Sequence, residues 1–197
     1  MIVRRYPPAR LLLLVVSCLV LALGVALLLG SRQGADGYST MLNGLRLFTG
    51  WSFTVVSVSV ALLFVGIAWA KGVRPDVGTL TQPVVVGIAV ELLLPVVPWP
   101  EATLGRWVEF VVGFTVICVG IAGYLAADLG IGPTEGPAIA FDDVLPFQWG
   151  YMALQVGGCL LGWSCGADVG LGTLVVVFGI GPVVDRMRPL MPRWGSE

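Results

Sequence analysis

Between Leu11 and Gly30 the chain runs for 20 residues without one charged side chain. A helix of that length rises about 30 Å, the thickness of a bilayer's hydrocarbon core. Five more apolar stretches follow, at 53–70, 79–98, 107–127, 147–165 and 169–184. Over all 197 residues, 57% are hydrophobic and 12% charged, and the mean hydropathy is +0.93. A soluble domain carries about twice that charge, so lipid is the expected solvent for most of this surface. The expectation is an all-α, polytopic transmembrane helical bundle of six spans. The first span has a rival reading as a signal peptide, because Arg4, Arg5 and Arg10 precede it. Its core exceeds the usual ~7–15 residues, and no small-residue cleavage motif follows.

An internal repeat constrains the bundle further. VGTLTQPVVVGIAVELLLP from Val77 aligns with LGTLVVVFGIGPVVDRMRP from Leu171 at a shift of 94. Gly78, Thr79, Leu80, Gly87, Val90 and Pro95 meet Gly172, Thr173, Leu174, Gly181, Val184 and Pro189. Trp69 and Gly72 match Trp163 and Gly166 at the same shift, while Gly24, Ala26 and Gly34 match Gly120, Ala122 and Gly130 at a shift of 96. Apolar stretches align by chance, so the Gly, Thr, Pro and Trp matches carry the argument. The repeats cover 11–100 and 101–190, between an N-terminal segment 1–10 and a tail 191–197. Each holds three spans and one polar, Gly-rich segment. Three crossings is an odd number, so two inverted three-helix repeats are expected, as in many secondary transporters.

Charge gives the orientation. With the N-terminus in the cytoplasm, Arg4, Arg5, Arg10, Lys71, Arg74, Arg186, Arg188 and Arg193 fall inside and Arg32, Arg46 and Arg106 outside. That distribution obeys the positive-inside rule. Both termini are therefore expected in the cytoplasm.

The segments LGIGPTEGPAIAF from Leu129, LLGWSCGADVGLGTLVVVFGIGP from Leu160 and PDVGTLTQPVVVGIAVELLLP from Pro75 share one order. A Gly-rich polar turn follows the first span, a Gly-Trp ends the next, and a Gly-Thr opens the last. This order resembles the YczE/YitT-type bacterial membrane proteins, closer to the YczE branch, from about Leu11 to Pro189. The family's turn reads Gly-Leu-Gly-Ala-Gly-Pro with an acid two places on, which Gly130, Gly132, Pro133 and Glu135 match. In the first half Gly34 and Ala35 match, whereas Asp36, Gly37 and Ser39 depart. The resemblance implies a bacterial inner-membrane protein and this fold; it implies no reaction.

The polar segments 34–50 and 130–146 are too short and polar to cross a bilayer. Each contains a run suited to a short helix, 38–48 and 136–145. Thr134 stands where an N-cap belongs, with Glu135 in the first turn. A helix dipping back into the membrane would aim free N–H groups inward, making a site for an anion or polar ligand; the alternative is a helix on the membrane surface. Glu91, inside the third span, is the most informative single residue. An acid at such depth is costly and is turned either to function, as a proton carrier, or to a structural partner. Asp185 occupies the matched position in the second repeat, next to Arg186. Inverted halves put the two toward opposite faces, which argues against an acid dyad. The candidate substrate or ion site is thus Glu91, Glu135, Gly130, Gly132, Pro133 and Asp185. Gln82 and Gln155 read as polar glue between helices.

There is no histidine in the chain, and Cys18, Cys118, Cys159 and Cys165 form no Cys-x-x-Cys pair. No metal site or cofactor is expected, and no catalytic residue, so the chain reads as a non-enzyme. A net charge of −1 gives nucleic acid nothing to bind. The expected partners are the bilayer and a small-molecule or ion ligand, with a homo-oligomer left open. Two functions remain: a transporter with Glu91 and the 130–137 turn near a central site, or a non-catalytic scaffold or regulator of another membrane or secretion system.

Overall fold

The computed structural model of the protein describes residues 7–191, so Arg4, Arg5 and Arg193 lie outside the described residues. Eight α-helices follow in order: α1 Pro8–Ser31, α2 Gly37–Thr49, α3 Phe53–Ala70, α4 Val77–Leu93, α5 Thr103–Ala127, α6 Glu135–Ala140, α7 Phe147–Ser164 and α8 Leu171–Met187. Among the described residues there is no strand. The six expected apolar stretches are α1, α3, α4, α5, α7 and α8, and the polar segments carry α2 and α6. By length and composition α1, α3 and α5 suffice to cross a membrane, and α4 is a shorter apolar helix.

The sequence-matched segments form helices of equal length. α3 and α7 are both 18 residues and α4 and α8 both 17, each pair offset by 94. The repeated residues build the helix ends. After Trp69 and Trp163 the chain turns through Gly72 (φ 94°) and Gly166 (φ 96°). Gly72 N–H donates to the Trp69 carbonyl at 2.9 Å and Val73 N–H to Ala68 at 3.0 Å; Gly166 and Ala167 repeat this on Trp163 and Gly162 at 3.0 and 2.9 Å. A left-handed residue at this position satisfies the last carbonyls, and glycine adopts it without strain. At the following helix starts, Thr79 Oγ1 accepts the Asp76 N–H and Thr173 Oγ1 the Gly170 N–H, each at 3.3 Å. The Gly and Thr identities are therefore caps, while the matched tryptophans contribute only backbone carbonyls.

The short helices depart from expectation in two places, both at α6. α2 runs Gly37–Thr49, starting on an Asp36 whose carboxylate accepts the Ser39 N–H at 3.0 Å. α6 stops at Ala140 rather than reaching Leu145. Past it the chain goes on in turns, with Asp142 N–H on the Ile139 carbonyl and Val144 N–H on that of Phe141. The Asp142 carboxylate accepts the Phe147 N–H of α7 at 2.5 Å, a turn role that suits aspartate better than a helix interior. Thr134 sits at the cap position already in a helical conformation and makes no cap hydrogen bond.

α1 and α5 form the largest helix–helix interface. They run antiparallel, because Gly24 abuts Ile117, Gly120 abuts Leu21 and Gly113 abuts Leu28. At one end Arg10 joins Asp128 at 3.0 Å and donates to the Ala127 carbonyl. The halves then interlock: α4 packs on α1 and α8 on α5, while α2 crosses to α7 and α6 to α3. Each Gly-rich turn also docks on the other half. Gly78 N–H donates to the Leu129 carbonyl at 2.7 Å and Ile131 N–H to Thr79 Oγ1 at 3.2 Å, and Gly34 lies on Thr173. α2 runs parallel to α7, its first residue Gly37 against Gln155 and Gly158 near the middle of α7, and Gly44 against Gly162 near its end. One contact breaks the symmetry: α3 packs on α4, whereas α7 and α8 have no comparable packing.

Candidate functional site

A central cavity of about 480 Å³ fills the place where α7 and α8 fail to meet. Leu21, Val25, Ile117 and Ile121 of the antiparallel pair form its apolar floor. α7 contributes Tyr151, Met152 and Gln155, and α8 contributes Val177, Phe178 and Gly181. The starts of both short helices reach it, through Asp36, Tyr38 and Ser39 of one half and Gly132, Pro133 and Glu135 of the other. The volume and mixed lining are those of a small-molecule site.

Its polar groups are under-used. Asp36, Tyr124 and Gln155 are 9%, 4% and 6% exposed. Asp36 Oδ1, the Tyr124 hydroxyl and Gln155 Oε1 have no hydrogen-bond partner. Most buried polar atoms in proteins are paired, so a convergent set without partners points to a ligand. Gln155 Nε2 donates to the Tyr151 hydroxyl at 2.9 Å, which fixes its free oxygen as an acceptor. Asp36 and Glu135 line the same cavity as that hydroxyl. The two acids therefore serve one chamber. Burial pushes the Asp36 carboxyl above its ordinary value, against a hydrogen bond from Ser39 that lowers it. Burial raises Glu135 too, against a backbone hydrogen bond from Gly132. An ionised acid in such surroundings needs a cation or a proton.

The residues singled out in the sequence fall in three places. Gly132, Pro133 and Glu135 line the cavity, and Asp185 lines its edge, its side chain 76% exposed and 4.0 Å from Arg188. Gly130 lies apart, on Thr79 at the start of α4. Glu91 belongs to a different cleft, with Arg46, Trp51, Ser52 and Trp99. There its carboxylate accepts the Thr54 N–H at 3.1 Å and the Thr54 hydroxyl as well, tying α4 to the first turn of α3. Sequence reasoning passed over Asp36, Tyr124 and Tyr151. The Asp36-x-x-Ser39 spacing ahead of a helix was a readable cap signal for the first; a tyrosine in an apolar helix carries none.

An all-helical bundle with lipid-compatible helices around a polar chamber defines a helical membrane protein. The chain belongs to the family of unknown function DUF6198, whose model matches residues 8–189. An uncharacterized protein of Haemophilus influenzae is 27% identical over 195 residues, covering 96% of this chain and 87% of that protein. The uncharacterized membrane protein YczE of Bacillus subtilis is 23% identical over 180 residues, covering 87% of this chain and 81% of that one. The resemblance to YczE-type proteins is thus borne out. No solved structure matches.

Proposed function

We propose that the protein is a non-catalytic, multi-pass transporter of a small molecule or ion in the bacterial cytoplasmic membrane. The observation that carries this is the chamber between the halves, with its unpartnered Asp36, Tyr124 and Gln155 atoms. Supporting it, the antiparallel α1–α5 pair is what two inverted repeats produce, and binding sites of such transporters lie at the repeat interface. α2 begins beside the middle of α7 and runs to its end, the geometry of a re-entrant half-helix; backbone is tolerated at that depth when it lines a cavity. Both termini are assigned to the cytoplasm on the distribution of basic residues. Acids stand at the starts of both short helices, which disfavours the anion reading of those helix ends.

The test needs no substrate. In a variant with all four cysteines replaced by serine, Met152→Cys places one thiol on the cavity wall. A transporter exposes it alternately, so a membrane-impermeant maleimide labels it in both right-side-out and inside-out vesicles. Labelling from one side only rejects transport and leaves the scaffold or regulator.

A further inference from the structure

We propose that the solute is a small organic cation, an ammonium-type charge on an apolar or aromatic body, held between Asp36 and Glu135. This rests on the transport reading of the same chamber and narrows it.

Charge is the first argument. Asp36, Glu135 and, at the edge, Asp185 line the cavity, and no Lys or Arg does among the described residues. Of the basic side chains nearby, Arg10 pairs with Asp128, Arg186 donates to the Pro182 carbonyl, and Arg188 offsets Asp185 at the cavity's edge. Farther in, an anion would meet the Asp36 and Glu135 carboxylates with no Lys or Arg on the lining. The second argument is donor count. Asp36 spends Oδ2 on the Ser39 N–H and leaves Oδ1 unpartnered, and Gln155 leaves Oε1 unpartnered. Both are acceptors, which turn lone pairs toward a positively charged guest rather than a negative one. The third is the wall. Tyr38, Phe53, Tyr124, Phe147, Tyr151 and Phe178 surround the chamber. Aromatic faces attract cations, the more so when desolvated, and about 480 Å³ exceeds what a bare metal ion fills. The cavity also extends between α7 and α8, the side on which an amphipathic cation dissolved in lipid would arrive.

Tetraphenylphosphonium and tetraphenylborate have the same shape and opposite charge, which makes them the probes. Equilibrium dialysis against the purified full chain, with empty micelles as the blank, measures saturable binding of each. The expected result is one saturable site for the cation and none for the borate. Asp36→Asn and Glu135→Gln each weaken cation binding by about thirtyfold or more, as losing one partner of a desolvated charge pair does. Asparagine keeps an acceptor for the α2 cap, so the first variant should fold. If either variant aggregates, the wild-type comparison decides alone. Saturable borate binding of equal strength, full affinity in both variants, or no saturable cation binding at millimolar concentration overturns the proposal. Two-sided labelling of Met152→Cys without charge preference removes the cation assignment and keeps transport. A charge-selective site labelled from one side does the reverse.

Discussion

In the first half α3 and α4 lie face to face; in the second the matched α7 and α8 stand apart with the cavity between them. The closed seam has small residues and cross-links. Ser57 Oγ donates to the Pro83 carbonyl at 3.1 Å, and Glu91 accepts two hydrogen bonds from Thr54. At a shift of 94 these four positions become Tyr151, Val177, Asp185 and Gln148. A tyrosine ring cannot occupy the space of a serine hydroxyl against a neighbouring glycine, so Tyr151 faces the chamber instead. Interiors are close-packed and tolerate little added volume. The lesson is that two halves with matched helices carry one cavity rather than two where a few seam residues differ.

The largest expected effect tests how differently the short helices are seated. A Cβ at Gly162 would meet the Thr40 carbonyl oxygen of α2, because the two backbones touch. The matched residue in the other half is Ala68, which faces Gly136 with its methyl already in place. Gly162→Ala should cost about 1–3 kcal/mol of stability by overpacking, read as a lower melting temperature in detergent. Ala68→Gly should cost no more than about 1 kcal/mol. Equal losses would mean that α2 and α6 are held alike.

A smaller effect separates the two matched acids. Glu91→Ala removes both hydrogen bonds to Thr54 and should cost about 1 kcal/mol, discounted for its partly open setting. Asp185→Ala removes one 4.0 Å exposed pair and should change stability by less than about 0.5 kcal/mol. Glu91→Ala should leave tetraphenylphosphonium affinity unchanged, since Glu91 lies in a separate cleft. If Glu91→Ala abolishes cation binding, the Glu91 cleft and the cavity act as one site.

Much of the scaffold was legible in the sequence because its cues are local. Apolar length marked the six main helices, and the Trp-x-x-Gly and Gly-Thr repeats marked caps whose bonds close within a few residues. The seated half of the site was legible too, since Gly132, Pro133 and Glu135 form a contiguous turn. Asp36 was passed over because it breaks the family's turn pattern, although it caps α2 in its own way. Gln155, read as glue, bonds Tyr151 yet leaves its oxygen in the chamber. That outcome depends on α8 being withdrawn from α7, a tertiary fact with no short-range signal. The same holds for Glu109, near the start of α5, whose buried carboxylate has no hydrogen-bond partner.

The smallest effect is the most direct probe of the seam. Gly87 and Gly181 are repeat-matched and both sit inside a helix. A Cβ at Gly87 would lie 3.2 Å from Thr54 Cα and 3.3 Å from Ser57 Cβ, whereas one at Gly181 meets nothing within 4 Å. Replacing helical glycine by alanine gains up to about 1 kcal/mol in propensity. At Gly87 that gain is offset by pushing α3 away from α4, so the net change should be a few tenths of a kcal/mol in either direction. At Gly181 nothing offsets it, and the variant should melt higher than wild type. The difference between the two measures the seam itself, since propensity cancels. A Gly181→Ala protein that melts lower in lipid nanodiscs means α8 rests against a neighbour there, and the second half is closed in the membrane.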